Sequence, residues 1–377
     1  MKKWLIPLVA LVGVLAAITL AVAPMLNATP RNVPIAVLSF DQTTTVSGQD
    51  INFGQTVITN LTTSAGGLNL PVKWTMCDTQ SCIDDALKSN SVYAALVIPA
   101  DFTSSTAAAQ DGTSTNAPSQ ITVTINQGKN PTLAATVAAM MSQVSQTSGL
   151  TFTTNYVNQI PADEGTGVLA TLLAVLIMFT SLITTIVLVN VLKVDFSKKA
   201  GRTKVMLQQV GVAAGLGLIT GLVAPLIIAG LAGAKLPYGS LVVFIFIGFF
   251  AFATIVLFSV NWLGLPGLAI PAVVLVLGIP ILALPYEALL SFWQYVVYPW
   301  VPQRFMVEGT RSILFLGQGA GNQSSLWLAV TALVGLVILF ASLARPVAKT
   351  VTVQPVKSGK SGSKSGNPAL NPAKARH

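Results

Sequence analysis

Three ionisable residues near the end of the chain recur at helical spacing. Arg304, Glu308 and Arg311 are four and then three residues apart, so an α-helix would place them on one face. That face could act as an outer gate above a membrane path. A surface helix lying at the membrane interface with its own ion pairs would have the same pattern, and the sequence leaves both interpretations open.

A second charged segment, Lys193–Lys204, separates two long apolar runs. Its charged residues are Lys193, Asp195, Lys198, Lys199, Arg202 and Lys204. Positive loops between membrane spans remain on the cytoplasmic side, so this loop predicts the side on which every other segment lies. A cytoplasmic motor protein could dock on it, or the loop could serve topology alone.

The other reactive residues are few. Cys77 and Cys82 could form a disulfide in an oxidising compartment, or they could be two buried thiols. Because His377 is the one histidine, His/Cys metal sites and Ser-His-Asp catalysis are disfavoured. Gly359-Lys360-Ser361 lacks the first glycine of a phosphate-binding loop, since residue 354 is Gln. We therefore predict no enzyme activity, no cofactor and no metal in this chain.

Composition shows which kind of protein must position these residues. The chain has 377 residues, of which 53% are hydrophobic and 9% are charged, whereas soluble proteins have about 25% charged residues. The net charge of +9 comes from loops between apolar runs and from the C-terminal tail, not from one polar module. This distribution indicates a membrane protein and argues against nucleic acid as a partner.

Six apolar segments are long enough to cross a bilayer. The first occupies residues 1–26; the others are about 167–192, 205–234, 241–262, 265–285 and 325–344. The first segment could be a cleaved signal peptide, but Pro24 directly after a small-residue site favours an uncleaved span. The later spans contain no Asp, Glu, Lys, Arg or His. Thr180 and Thr184 share a helix face and could line a path, or bond between helices.

Residues 27–164 have a different composition, rich in Thr, Ser, Asn and Gln. Strands predicted at 34–40, 71–75, 92–98 and 121–126 alternate with helices at 54–61, 81–88 and 131–148, which indicates an inserted mixed α/β domain. The segment Thr103–Ser119 is predicted as a loop. With both termini inside, this domain and an amphipathic segment at 286–324 lie outside, and the basic tail 346–377 is cytoplasmic and disordered.

Four motifs resemble those of type-2 ABC exporter permeases, in particular the phage infection protein (Pip/YhgE-like) branch. They are IAVLSFD at 35–41, DDALKSNSVYAALVIPADF at 84–102, INQGKNPTLAATVAA at 125–139 and YPWVPQRFMVEGTRSILFLG at 298–317. The resemblance implies one N-terminal span, an outer domain and five further spans. It also implies a homodimer or heterodimer, a cytoplasmic ATPase on a separate chain, and a coupling element at the Lys193–Lys204 loop.

Together these observations predict a six-span protein of the cytoplasmic membrane. Its predicted function is the permease subunit of an ABC-type exporter of a hydrophobic or amphipathic substrate. The alternative is an envelope receptor or a secretion or cell-wall scaffold, which would bind a partner through the outer domain and transport nothing.

Overall fold

The computed structural model describes residues 5–346 except for positions 27, 47, 64–70, 113–116, 161–167, 199 and 233–235. Two predicted features lie outside the described residues: Lys199 and all but the first residue of the basic tail. The described chain forms an α/β domain inserted between the first helix and a bundle of long apolar helices.

The α/β domain is built on a five-stranded sheet of order β4-β1-β5-β6-β7. Its strands and a small hairpin are β1 (Val33–Ser39), β2 (Thr44–Val46), β3 (Gln49–Ile51), β4 (Val72–Met76), β5 (Ala94–Ile98), β6 (Ile121–Asn126) and β7 (Phe152–Val157). Strand β1 is parallel to β4 and β5, and Ile35 pairs with Trp74 on one side and Ala94 on the other. Strand β6 is antiparallel to β5 and parallel to β7.

The apolar faces of this sheet explain why the predicted strands form. In β6, Ile121, Val123 and Ile125 are fully buried, and the threonines between them are half-buried. Four helices cover the sheet or its edges: α2 (Phe53–Thr63), α3 (Gln80–Lys88), α4 (Phe102–Gln110) and α5 (Pro131–Ser148). The predicted elements thus correspond to observed ones, while the hairpin β2–β3 and strand β7 were not predicted.

The segment Thr103–Ser119 was predicted as a loop, and this prediction was wrong for its first half, which is α4. A distant carboxylate stabilises this weakly amphipathic helix. Asp41 accepts hydrogen bonds from the Thr103 backbone N–H (2.9 Å) and hydroxyl (2.6 Å), and from the Gly54 N–H of α2 (2.8 Å). A negative charge at two helix N-termini favours both helices.

The bundle comprises α1 (Leu5–Leu26), α6 (Leu169–Val191), α7 (Arg202–Ala232), α8 (Tyr238–Leu263), α9 (Ala269–Ala283), α10 (Pro302–Phe315) and α11 (Gln323–Ala341). Among the described residues, α6 to α9 and α11 are long and apolar enough to cross a membrane, if short 3₁₀ turns are counted with α9 and α11. Helix α1 packs on α9. That residues 1–26 form a sixth membrane span stays a prediction.

Helix α8 lies at the centre of the bundle and packs against α6, α7 and α11. Its Phe244, Phe249 and Phe252 are fully or almost fully buried. Gly221 of α7 allows close approach, because a Cβ there would lie 2.7 Å from the Val242 carbonyl oxygen of α8. The bundle core is therefore closely packed within one chain.

The bundle has two polar ends. One end, here called the domain end, contacts the α/β domain and includes the segment between α9 and α10. The other, the loop end, gathers the C-termini of α6, α8 and α11 and the start of α7, including the Lys193–Lys204 loop. The chain alternates between these ends through α6, α7, α8, α9 and α11.

Candidate functional site

A partly open cavity of about 660 Å³ lies between the α/β domain and the domain end of the bundle. We call it the junction cavity. Its ionisable lining residues are Tyr93, Lys129, Tyr286, Tyr295, Tyr298, Arg304, Glu308 and Arg311, with Glu287 directly behind the wall. The predicted face of Arg304, Glu308 and Arg311 therefore lines a cavity, on a helix whose other face is buried in the bundle.

The α/β domain supplies Tyr93 and Lys129 from the ends of two neighbouring strands. Tyr93 directly precedes β5, and its backbone N–H donates to the Pro34 carbonyl at 3.0 Å. Lys129 lies in the loop between β6 and α5, which approaches the bundle closely: a Cβ on Gly128 would lie 2.6 Å from the Leu316 Cδ2. Both side chains are thus fixed toward the bundle by the sheet.

A buried carboxylate joins the two parts of the chain. Glu287, 7% exposed, lies in a 3₁₀ turn just after α9. Its Oε2 accepts a 2.8 Å hydrogen bond from the Tyr93 hydroxyl, its Oε1 lies 3.8 Å from the Lys129 Nζ, and its carbonyl accepts from the Arg31 N–H at 2.9 Å. The Lys129 Nζ also donates to the Ser91 carbonyl at 2.7 Å. These contacts form what we call the Glu287 latch.

A second carboxylate is paired within the bundle. The Nε of Arg304 lies 3.0 Å from both carboxylate oxygens of Glu308, and the Tyr298 hydroxyl donates to Glu308. The Arg304 guanidinium also lies 4.2 Å from the centre of the Tyr298 ring. Each carboxylate of the cavity therefore has one cation and one tyrosine as partners.

Burial changes the proton affinity of several of these groups. Burial, and then the Glu287 carboxylate, raise the pKa of the Tyr93 hydroxyl well above its ordinary value. Burial and Glu308 do the same to the pKa of Tyr298. Burial lowers the pKa of Lys129, although Glu287 acts in the opposite direction. Both tyrosines thus remain protonated donors at neutral pH, as their hydrogen bonds require.

A model of the family described as ABC-2 family transporter protein matches residues 3–344. The chain belongs to this family. The match includes both the α/β domain and every described bundle helix up to the 3₁₀ turn at Ser342–Ala344. Neither the search of curated proteins nor the search of solved structures found a match.

In this ABC-2 family protein the loop end has its own polar cluster, centred on Arg202. This guanidinium is 3% exposed and donates to three carbonyls: Lys198 (2.8 Å), Arg345 (2.8 Å) and Phe196 (2.5 Å). The Arg345 Nη1 donates in turn to the Asn261 carbonyl at 2.7 Å. Arg202, predicted as one of several coupling charges, therefore holds the loop to the ends of α8 and α11.

The other predicted loop charges differ from Arg202 in exposure. Lys193, Asp195, Lys198 and Lys204 are exposed. Two hydrogen bonds from Ser197 lower the pKa of Asp195, whose carboxylate thereby shapes the loop locally. Within the described part of this loop, the exposed lysines of the ABC-2 protein are the positive charges that a partner could contact.

The remaining predicted residues have simple environments. Thr184 donates to the Thr180 carbonyl of its own helix at 2.6 Å. Cys82, in the first turn of α3, forms a disulfide with Cys77, which directly follows β4. Tyr93, Lys129 and Glu287 were not predicted; the available signal for Glu287 was an acid directly after a charge-free apolar run.

Proposed function

We propose that this chain is the permease subunit of an ABC exporter that moves a hydrophobic or amphipathic substrate across the cytoplasmic membrane. The observation that carries the proposal is the family match over residues 3–344. The motifs at 84–102 and 298–317 support a place in the Pip/YhgE-like branch. ATP hydrolysis is assigned to a separate cytoplasmic subunit.

The loop end is proposed to face the cytoplasm. Its exposed Lys193, Lys198 and Lys204 follow the positive-inside pattern, and the disulfide of the α/β domain suits an oxidising compartment outside. Helix α1 continues through Ala23 to Leu26 and packs on α9, which supports an uncleaved sixth span. Residues 27–164 would then be extracytoplasmic.

The substrate path is assigned to the interface between two permease chains. The core of α6, α7, α8 and α11 is closely packed in the described residues, and two cavities of about 660 and 390 Å³ lie at the domain end and the loop end. Helices α7 and α11 expose many apolar side chains, including Leu226 and Val337. These faces are available to lipid or to a second permease in a homodimer or heterodimer.

The orientation is tested by cysteine labelling in intact cells. In a Cys77→Ser/Cys82→Ser background, Thr59→Cys of the α/β domain and Ser197→Cys of the loop both lie at exposed positions. A membrane-impermeant maleimide should label Thr59→Cys in intact cells and Ser197→Cys only after permeabilisation. Labelling of both from the same side would reject the six-span topology.

The ATPase partnership is tested by gentle purification of the full chain and measurement of ATP hydrolysis in the eluate. We expect Lys198→Gln/Lys204→Gln to reduce the co-purified activity about tenfold, because rim charges at an interface act through electrostatic complementarity. The matched control is Lys73→Gln/Lys88→Gln, two exposed lysines of the α/β domain. If wild type recovers no ATPase, the receptor or scaffold function gains support instead.

A further inference from the structure

We propose that the junction cavity binds the phosphate group of an amphipathic ligand, and that Arg311 is the residue that holds this group. The proposal concerns ligand binding at the domain end and does not depend on an ATPase at the loop end. Its test can therefore fail or succeed independently of the co-purification experiment.

The first argument is the pairing of charges around the cavity. Three cations, Lys129, Arg304 and Arg311, face two carboxylates. Glu287 is engaged by Lys129 and Tyr93, and Glu308 is engaged by Arg304 and Tyr298. Arg311 is left without a carboxylate, so the cavity contains one more positive charge than the protein itself neutralises.

The second argument is the state of the Arg311 side chain. Within the described part of the chain, Arg311 forms no hydrogen bond or ion pair, and its Nε is buried. Burial lowers the pKa of its guanidinium. Arg311 is partly buried and lines the cavity, and a guanidinium whose buried Nε and other N–H donors are unused carries a desolvation cost that an anion there would relieve. The planar fork of arginine matches phosphate with two parallel hydrogen bonds.

The third argument concerns the rest of the lining, which selects the ligand class. Ile281 and Leu284, at the end of α9, contribute apolar surface together with Val307 and Leu316. The α9 segment is long and apolar enough to cross a membrane, so its end lies at the level of lipid headgroups. A volume of about 660 Å³ is large enough for a headgroup and the start of its chains. These features favour a phospholipid headgroup over a soluble phosphate ester.

The test compares full-length wild type with Arg311→Gln in a neutral detergent, titrated with dihexanoylphosphatidylglycerol or with glycerol phosphate. Calorimetry should show binding to wild type that is about tenfold weaker in Arg311→Gln, since one charged donor pair is lost. The matched control is Lys73→Gln, which removes an exposed cation of the α/β domain outside the cavity and should bind as wild type does. Binding of the lipid alone assigns a headgroup, and binding of both probes assigns the phosphate group irrespective of source.

A stability measurement without ligand separates this role from a structural one. Because Arg311 forms no hydrogen bond or ion pair with the described residues, Arg311→Met should unfold at the same temperature as ligand-free wild type or higher. A lower unfolding temperature would show that Arg311 supports the fold and would overturn the proposal. Equal binding of the probes to wild type and Arg311→Gln, or no binding of either probe to wild type, would overturn it as well.

Discussion

Glu287→Ala should be among the most destabilising single substitutions at the domain end. Removal of this buried carboxylate leaves the largely buried Lys129 ammonium without its counter-charge and the Tyr93 hydroxyl without an acceptor. Breaking a buried pair from one side costs about 3 kcal/mol or more. The expected result is a fall of several degrees in the apparent unfolding temperature of the purified full-length chain.

The control for this prediction is Glu308→Ala, at the other carboxylate of the cavity. Its pair with Arg304 joins two partly exposed side chains one helical turn apart, so loss of this pair should cost about 1 kcal/mol or less. Loss of the hydrogen bond from the Tyr298 hydroxyl should add about 1 kcal/mol, which keeps the total below that of Glu287→Ala. The loss of stability in Glu287→Gln should lie between those of Glu287→Ala and Glu308→Ala, because the amide oxygen can still accept a hydrogen bond from Tyr93. Adding Lys129→Met to Glu287→Ala should restore part of the stability, since the uncompensated cation is then gone. Equal unfolding temperatures for Glu287→Ala and wild type would show that the latch does not hold the domain.

These contacts show where sequence reasoning succeeds and where it stops. The face of Arg304, Glu308 and Arg311 could be predicted because helical spacing is a local property, and the Arg304–Glu308 pair follows from it. That Arg311 has no ion pair could not be predicted, because it depends on Tyr298 and Arg304 both pairing with Glu308. The Tyr93–Glu287 bond joins residues 194 positions apart, and only the docking of the domain on the bundle brings them together.

The same distinction applies to the fold. The long apolar runs and the alternating residues of strand β6 indicate by themselves which side chains are buried. The positions of these elements could therefore be predicted to within a few residues. Helix α4 lacks such a pattern, and its stabilising carboxylate, Asp41, lies far from it in sequence. At the loop end, the sequence pattern does not distinguish Arg202 from the neighbouring charged residues, whereas in the structure Arg202 is buried.

That buried position leads to the second large effect: Arg202→Ala should destabilise the loop end severely. It removes three hydrogen bonds donated by one cation and leaves the Phe196, Lys198 and Arg345 carbonyls to find other donors. Hydrogen bonds to charged groups contribute about 1.5–3 kcal/mol each, so a loss of more than about 3 kcal/mol is expected. The measurement is the apparent unfolding temperature, together with the rate of proteolytic cleavage within the loop.

Two comparisons decide whether Arg202 acts through structure or through a partner. Arg202→Lys keeps the charge but lacks the planar fork, so it should recover little of the stability. Lys204→Ala, at an exposed position two residues on, should change stability by no more than about 0.5 kcal/mol. If Arg202→Ala unfolds like wild type yet loses co-purified ATPase, Arg202 is a docking residue after all. If Arg202→Ala lowers the unfolding temperature while Lys198→Gln/Lys204→Gln does not, the residues of the loop have two separate roles. The buried arginine then fixes the shape of the loop, and the exposed lysines are left to contact the partner.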